Sequence, residues 1–269
     1  MEKTRLRCGS STAAIEHFDN DVIDMYKDAG VTSVEVALPF VNYFAHDWKE
    51  IKKYADSVGV ELWSVHLPFG GANNMFNIAS PEFAKRTVED DEKLIIKAGE
   101  VGMKAAVVHP NTSLIPGLSR ETQWEISVNS LNELVKIGKR EGVDIAVEIL
   151  APKNLGSNIA EMKKFMEEVP ELKICMDMNH LQGFTHKEFV DAFGDRIVTV
   201  HISDYDFDGE KHWMPGLGKI DWNHIIDLLD SINYNGPFMY EVGGVDFKTD
   251  GLSLIRENHS KLMKGRLLI

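Results

Sequence analysis

The stretch EGVDIAVEIL, residues 141–150, holds the pattern that decides the fold. Gly142 follows the amphipathic stretch Arg120–Glu141 and precedes Asp144–Ile149, a short run that is apolar on both faces. A glycine just past a helix is typical of a left-handed C-cap. A strand that is apolar on both faces is typical of a parallel sheet covered by helices. The stretch therefore predicts one helix–strand unit of an α/β protein.

The same unit recurs along the whole chain, and Gly30, Gly59 and Gly102 occupy the same position as Gly142. The predicted strands are Arg5–Cys8, Ser33–Ala37, Glu61–His66, Ala105–His109, Asp144–Ile149, Lys173–Asp177, Ile197–Ile202 and Phe238–Val242. The predicted helices are Asp21–Ala29, Trp48–Val58, Pro81–Val101, Arg120–Glu141, Ile159–Glu168, Lys187–Phe193, Asp221–Ile232 and Leu252–Lys264. Strands separated by helices pair in parallel through right-handed crossovers. A doubly wound open sheet would need a phosphate-binding motif after a strand, and no GxGxxG or Walker pattern follows any of these runs. The sequence therefore predicts an α/β fold, a single (β/α)8 TIM barrel over residues 1–269.

Composition narrows the class of protein. The 269 residues include 29 Lys and Arg against 42 Asp and Glu, so the formal net charge is −13 and argues against binding to nucleic acid. The first 30 residues contain no apolar run of signal-peptide type, and no window approaches the ~20 apolar residues of a membrane span. The two cysteines, Cys8 and Cys175, are too few for a disulfide framework and are expected to be buried, away from the site. We therefore expect a cytoplasmic protein with neither a nucleic-acid nor a membrane partner.

Polar residues stand where the predicted strands end. The C-terminal ends of the strands form the active-site mouth of a parallel barrel, so these side chains are expected to converge. They are His66, His109, Glu148, Asp177, His180, His201, Asp204 and Glu241, with His212 in the following loop. Three buried carboxylates (Glu148, Asp177 and Glu241) would repel one another, and no predicted strand ends in Lys or Arg. The pattern therefore predicts a divalent metal bound by these carboxylates with one imidazole, a donor set that suits Mn²⁺, Zn²⁺, Co²⁺ or Mg²⁺.

Two segments at the ends of the second and third strands are expected to line the pocket or to form a lid. Glu35 belongs to the first of these segments, and Phe69 with Gly70 and Gly71 belongs to the second. The two adjacent glycines would permit the loop to move.

The chain resembles the xylose isomerase-like TIM-barrel superfamily, which includes sugar epimerases and isomerases, inosose dehydratases and AP-site endonucleases. The resemblance covers essentially the whole chain, and its specific part is an ordered series of residues. The series is His66, His109, Glu148, Asp177-Met-Asn-His180, His201, His212-Trp-Met-Pro-Gly-Leu-Gly-Lys-Ile-Asp-Trp222 and Glu241.

Resemblance to the ketose 3-epimerases implies a role for each residue of the series. The metal ligands would be Glu148, Asp177, His201 and Glu241. Glu148 and Glu241 would also act as the acid and base that move a proton α to a carbonyl, through an enediolate held on the metal. The residues implied to bind the substrate, a sugar or sugar phosphate, are His66, His109, His180 and His212. The resemblance also allows a homo-oligomer.

Three alternatives stay open at the level of sequence. An inosose-type dehydratase would begin with the same proton abstraction and then expel a hydroxyl group. The AP-site endonuclease branch holds three zinc ions, and its additional ligands match His66, His109 and His212. That branch has Asp-x-His where this chain has Glu210-Lys211-His212, and the negative charge argues against a DNA groove. A non-catalytic sugar binder would gain nothing from two glutamates at one metal, so the sequence favours a sugar isomerase or epimerase.

Overall fold

The computed structural model describes residues 6–13, 15–244, 246–247 and 249–265. Within these ranges eight parallel strands close into a barrel in chain order, and β8 pairs with β1. The strands are β1 Cys8–Ser11, β2 Ser33–Val36, β3 Glu61–His66, β4 Ala105–Val108, β5 Asp144–Glu148, β6 Lys173–Asp177, β7 Ile197–Ile202 and β8 Phe238–Tyr240. The α-helices are α1 Asn20–Ala29, α2 Trp48–Val58, α3 Ala84–Glu100, α4 Arg120–Glu141, α5 Ile159–Glu168, α6 His186–Phe193, α7 Trp222–Ser231 and α8 Gly251–Met263. The predicted (β/α)8 barrel is confirmed.

The helices end where the glycines predict. Gly142 follows α4 with φ 71°, a left-handed conformation, and its N–H bonds to the Gly138 carbonyl. Gly138 has a second reason to be glycine, because a Cβ there would collide with the Val143 carbonyl oxygen and the Ile145 side chain. This lets α4 lie directly against β5, the strand that carries Glu148.

The predicted position of β1 was wrong by three residues. The strand runs Cys8–Ser11 and not Arg5–Cys8, and Arg5 lies outside the described residues. Its sequence, CGSS, has no apolar alternation, because its small residues fit inside the barrel beside β2 and β8. A Cβ on Gly9 would lie only 3.0 Å from the Pro237 side chain and 3.1 Å from that of Met239. The narrow space inside the barrel thus requires the small residues of β1. Leu6, the apolar residue that suggested an earlier strand, precedes it.

Two register shifts interrupt the parallel pairing. Between β2 and β3, Val34 pairs with Leu62 but Glu35 pairs with Ser64, so Trp63 is an extra residue. A similar shift occurs in β7, between the pairs formed by Ile174 and Cys175 of β6. Irregularities of this kind re-aim side chains near functional sites. Here they set the directions of Ser64 and, further along β7, of His201.

The apolar core fills the layer between the helices and the barrel, and a small layer inside the barrel consists of Ala105, Val107, Ala146 and Cys175. Both cysteines are buried, as expected. Burial raises the thiol pKa of Cys8 to about 12 and that of Cys175 well above its usual range. Among the described residues, no helix combines the length and the apolar content that a membrane crossing requires.

Candidate metal centre at the barrel mouth

The strand ends bring the four predicted ligands together. Glu148 ends β5, Asp177 ends β6, His201 lies in β7 and Glu241 directly follows β8. One possible ligand atom from each of the four lies within 4.8 Å of the others. The first three side chains are buried, whereas that of Glu241 is 20% exposed. The geometry is therefore that of a compact donor group with one member open to solvent.

His201 lies at the centre of this group. Its Nδ1 is 3.1 Å from Glu241 Oε2, 3.5 Å from Glu148 Oε1 and 3.8 Å from Asp177 Oδ2. Neither His201 Nδ1 nor Asp177 Oδ2 makes a hydrogen bond, although both atoms are buried. Buried polar atoms without partners are costly. A ring nitrogen without a hydrogen-bond partner, placed among three carboxylates, fits a divalent cation.

The carboxylates at the mouth have imidazoles, and no Lys or Arg, as ion-pair partners within 4 Å among the described residues. They are Glu35, Glu148, Asp177, Glu210 and Glu241. Burial raises the pKa of Asp177 to about 6, although His180 opposes the shift. Burial also opposes ionisation of Glu148, but His201 and His109 hold its pKa well below its usual range. In the part of the chain that the structure describes, the ion pairs that offset this negative charge within 4 Å are thus made by imidazoles.

Two further donor groups adjoin the first. His66 Nε2 and His109 Nε2 lie 3.2 and 3.1 Å from Glu148 Oε2, the oxygen that faces away from His201. In the third group, Glu210 Oε1 lies 2.8 Å from His212 Nε2 and 3.5 Å from His180 Nε2. In each group the possible ligand atoms lie within 4.8 Å of one another. Among the described residues, the mouth therefore holds three neighbouring groups made of oxygen and nitrogen donors alone, of which two share Glu148.

Backbone carbonyls orient three of these imidazoles. His66 Nδ1 donates to Leu67 O at 2.9 Å, and His180 Nδ1 donates to Ile149 O at 2.9 Å. His212 Nδ1 lies 3.2 Å from the carbonyl oxygen of Glu241. Because a carbonyl oxygen only accepts, the hydrogen sits on Nδ1 and Nε2 faces the mouth. Histidines that bind metals are typically held in this way.

The two sides of the mouth differ in access. A cavity of about 420 Å³ adjoins Glu241 and is also lined by Ser11, Lys211 and Tyr240. On the opposite side Phe69 stacks on His109, with ring centroids 4.1 Å apart. A small molecule can therefore approach the donor groups from the side of Glu241.

The structure brings all the sequence-predicted site residues to the mouth except one. Asp204 turns away, because its carboxylate accepts hydrogen bonds from Gly216 N and Trp222 Nε1 at 2.7 and 2.9 Å. It organises the loop before α7. The expectation that no cysteine lies near the site was wrong, since Cys175 Sγ is within 4.8 Å of donor atoms of Glu148 and His201.

Glu35 does not belong to a lid or pocket wall, as had been expected. It lies within β2, is fully buried and accepts a hydrogen bond from His201 Nε2 at 3.0 Å. The signal was available, because an acidic residue inside the apolar run SVEV carries the same information as Glu148 inside DIAVE. Glu210 had been noted only through its loop motif, and its contacts place it in the third donor group.

Comparison with known proteins gives one family and several relatives. The family model described as xylose isomerase-like TIM barrel matches residues 23–264. The uncharacterized protein MJ1614 of Methanocaldococcus jannaschii is 29% identical over 50% of this chain and 53% of its own length. A probable endonuclease 4 of Acholeplasma laidlawii is 26% identical over 61% of each chain, and a D-psicose 3-epimerase of Ruminiclostridium cellulolyticum is 28% identical over 46% and 43%. This chain thus spans 53% of the length of the first of these relatives and 61% of the length of the second.

Solved structures share the fold over nearly the full length. A D-tagatose 3-epimerase-like protein superimposes with a TM-score of 0.80 and 21% identity, covering 97% of this chain and 99% of that one. An IolI protein whose structure contains a zinc atom superimposes with a TM-score of 0.79 and 16% identity, covering 97% and 98%. At these identities the likeness concerns the fold.

Proposed function

Because the chain belongs to the xylose isomerase-like TIM-barrel family, we propose that it is a divalent-metal-dependent sugar or sugar-phosphate isomerase or epimerase. One observation carries the proposal. Glu148 and Glu241 both approach His201 Nδ1, at 3.5 and 3.1 Å, and Glu241 also lines a cavity of small-molecule size. Two carboxylates at one centre are the arrangement that removing and returning a proton requires.

The metal would be held by Glu148, Asp177, His201 and Glu241, and the buried atoms without hydrogen-bond partners, His201 Nδ1 and Asp177 Oδ2, fit such a cation. Zn²⁺, Mn²⁺, Co²⁺ or Mg²⁺ suits this set of oxygen and nitrogen donors. When bound, the cation would polarise a carbonyl group and make the neighbouring C–H more acidic.

The two glutamates have different access to a substrate. Glu241 borders the cavity, and although burial opposes its ionisation, His201 lowers its pKa to about 2, so the carboxylate is ionised. Glu148 accepts hydrogen bonds from His66 and His109 on Oε2. We assign the abstraction of the α-proton to Glu241. Glu148 would exchange the proton on the other side, with His66 and His109 as its proton partners.

The cavity favours a small sugar as the substrate. Its volume of about 420 Å³ lies in the range of small-molecule pockets. His212 lines it, and His180 lies beside His212, with ring centroids 5.7 Å apart, so both can bind hydroxyl groups. Lys211 lines the same cavity and supplies a cation for a phosphate group. The epimerases among the relatives support the same class of substrate.

The test is incorporation of solvent deuterium into a panel of ketoses and their phosphates, with the metal content measured in parallel. We expect the metal-loaded protein to place deuterium α to the carbonyl of one panel member. The Glu241→Gln variant should bind the metal and lose the exchange by at least about 100-fold. Exchange accompanied by release of water would identify a dehydratase. A metal-loaded protein that exchanges no proton and only binds sugar would contradict the proposal.

A second candidate function is metal-dependent hydrolysis of a phosphoester at an abasic site. The observation that favours it is the pair of additional donor groups, His66–His109–Glu148 and His180–Glu210–His212. The similarity to a probable endonuclease 4 supports the same candidate. Three bound zinc ions per chain together with cleavage of an oligonucleotide that contains an abasic site would favour hydrolysis over isomerisation.

A further inference from the structure

We propose that Glu35, itself held by Ser64, is a positioning residue that fixes His201 for metal binding. Glu35 lies in β2, fully buried inside the barrel. Its Oε1 lies 3.0 Å from His201 Nε2, and its Oε2 accepts a hydrogen bond from Ser64 Oγ at 2.8 Å. Because a carboxylate only accepts, Nε2 of His201 carries a hydrogen, and in the neutral imidazole that a cation requires the lone pair of Nδ1 would face the carboxylate ligands.

His201 differs in this from its neighbours. His66, His180 and His212 are each oriented by a backbone carbonyl, which is part of the fold and cannot be exchanged by substitution. His201 is oriented by a charged side chain. A carboxylate behind a ligating imidazole both fixes the ring and makes it a stronger donor.

The barrel is irregular where this contact is built. The register shift between β2 and β3 sets Glu35 opposite Ser64 in place of Trp63. Among the described residues, the ion-pair partner of Glu35 within 4 Å is His201, and neither Lys nor Arg approaches it to that distance. A buried carboxylate with so little compensation is costly to maintain. The cation that His201 would bind supplies the missing positive charge.

The same two strands offer a matched control. Ser33 of β2 donates to Glu61 of β3 at 3.1 Å, so this is also a Ser–Glu pair across β2 and β3. Glu61 is half-exposed, forms an ion pair with Arg7 and lies at the opposite end of the strand from His66. Glu61→Gln therefore removes a charge from the same strand pair without touching the mouth.

The inference rests on the metal-binding part of the proposed function and is independent of the reaction. The experiment is a titration of the full chain with Co²⁺, followed by visible absorption and by chelator competition. The proteins compared are the wild type, Glu35→Gln, Ser64→Ala and Glu61→Gln. Glutamine retains an oxygen that can accept the Nε2 hydrogen, so Glu35→Gln isolates the loss of charge.

We expect Glu35→Gln to weaken Co²⁺ binding by about 10–100-fold and to alter the absorption bands. Ser64→Ala should weaken binding less, and Glu61→Gln should leave it unchanged. Thermal unfolding of the metal-free proteins reports stability separately. Wild-type affinity and spectrum in Glu35→Gln would overturn the inference, even if that variant were less stable. Failure of the wild type itself to bind Co²⁺ would overturn the metal-binding proposal as well.

Discussion

The two sides of the barrel mouth use the same residue types to different ends. On the side of β3 to β5, Glu148 is buried and four imidazoles lie within 3.5 Å of it. On the side of β8, Glu241 is 20% exposed, has His201 as its imidazole neighbour and borders the cavity of about 420 Å³. Under the proposed function, this first, closed side would hold the cation and the protons, and the second, open side would meet the substrate. Holding the metal and reaching the reacting carbon would then be tasks of different sides of the mouth.

The largest effect should come from Glu148→Gln. Glu148 belongs to two of the oxygen and nitrogen donor groups, so Glu148→Gln removes a charged ligand together with the negative charge that His66 and His109 share. We expect metal affinity to fall by more than about 100-fold and turnover to become undetectable. Metal content after dialysis measures this directly. Full retention of the metal would contradict the assignment of the closed side.

Glu241→Gln should lower turnover more than it lowers metal affinity. Because Glu241 is the more accessible glutamate, we expect turnover to fall by about 10²–10⁴-fold, with a smaller loss of metal affinity than in Glu148→Gln. Steady-state kinetics at saturating metal, with metal content as the control, test the difference. Equal losses of metal affinity and of turnover in the two variants would show that the two sides of the mouth are equivalent.

The pH dependence of stability should report the protonation of imidazoles on both sides of the mouth. Although burial opposes protonation, Glu148 raises the pKa of His66 to about 9, and Glu210 raises that of His212 to about 9. A raised pKa stabilises the metal-free fold fully below pH 6.5, and this contribution is lost as the pH rises through 9. We expect the Tm of the metal-free protein to fall over this range.

Metal binding should show the opposite trend, because the charge of a cation at the neighbouring His201 centre opposes protonated His66 and His212 and displaces their protons. Metal affinity should therefore rise between pH 6.5 and 9. Thermal unfolding at several pH values with and without Zn²⁺ checks both trends, and His212→Asn should reduce the slope for the metal-free protein. A metal-free Tm that rises with pH would show that these imidazoles are not protonated in the fold.

The smallest effect is expected at Phe69, the aromatic residue that packs over His109 on the closed side. Phe69 is half-exposed and stacks on His109. An aromatic contact of this kind contributes about 0.5–1.5 kcal/mol. Phe69→Ala should therefore change turnover by only a few-fold. Val41→Ala is the control, since Val41 is 72% exposed. A loss in Phe69→Ala as large as that in Glu241→Gln would move the substrate to the closed side.

The sequence predicted the fold and most of the side chains that meet at the mouth, because the barrel imposes a simple rule on both. A charge at the end of an apolar strand, as in Glu148 and Asp177, identifies the mouth without any knowledge of contacts. The role of Glu35 could not be predicted, because its partner depends on the register shift at Trp63, which no local sequence pattern encodes. The bounds of β1 could not be predicted, because small residues that fill a narrow space show no hydrophobic periodicity.

The loop after β7 was the least predictable part of the site. Glu210 reaches His180 and His212 through a segment in which Phe207 and His212 both have positive φ. Such a path depends on tertiary contacts, chiefly on the hydrogen bonds that Asp204 accepts from Gly216 and from the start of α7. The motif around His212 therefore identified the loop, while the position of Glu210 required the structure.

The most direct test of the account is an anomalous diffraction experiment on crystals of this chain loaded with Zn²⁺, measured on both sides of the zinc absorption edge. We expect an anomalous peak within bonding distance of His201 Nδ1, enclosed by Glu148, Asp177 and Glu241. Additional peaks at the other two donor groups would favour the hydrolytic candidate while leaving this centre in place. A map with no peak beside His201 Nδ1 at saturating zinc would contradict the central claim.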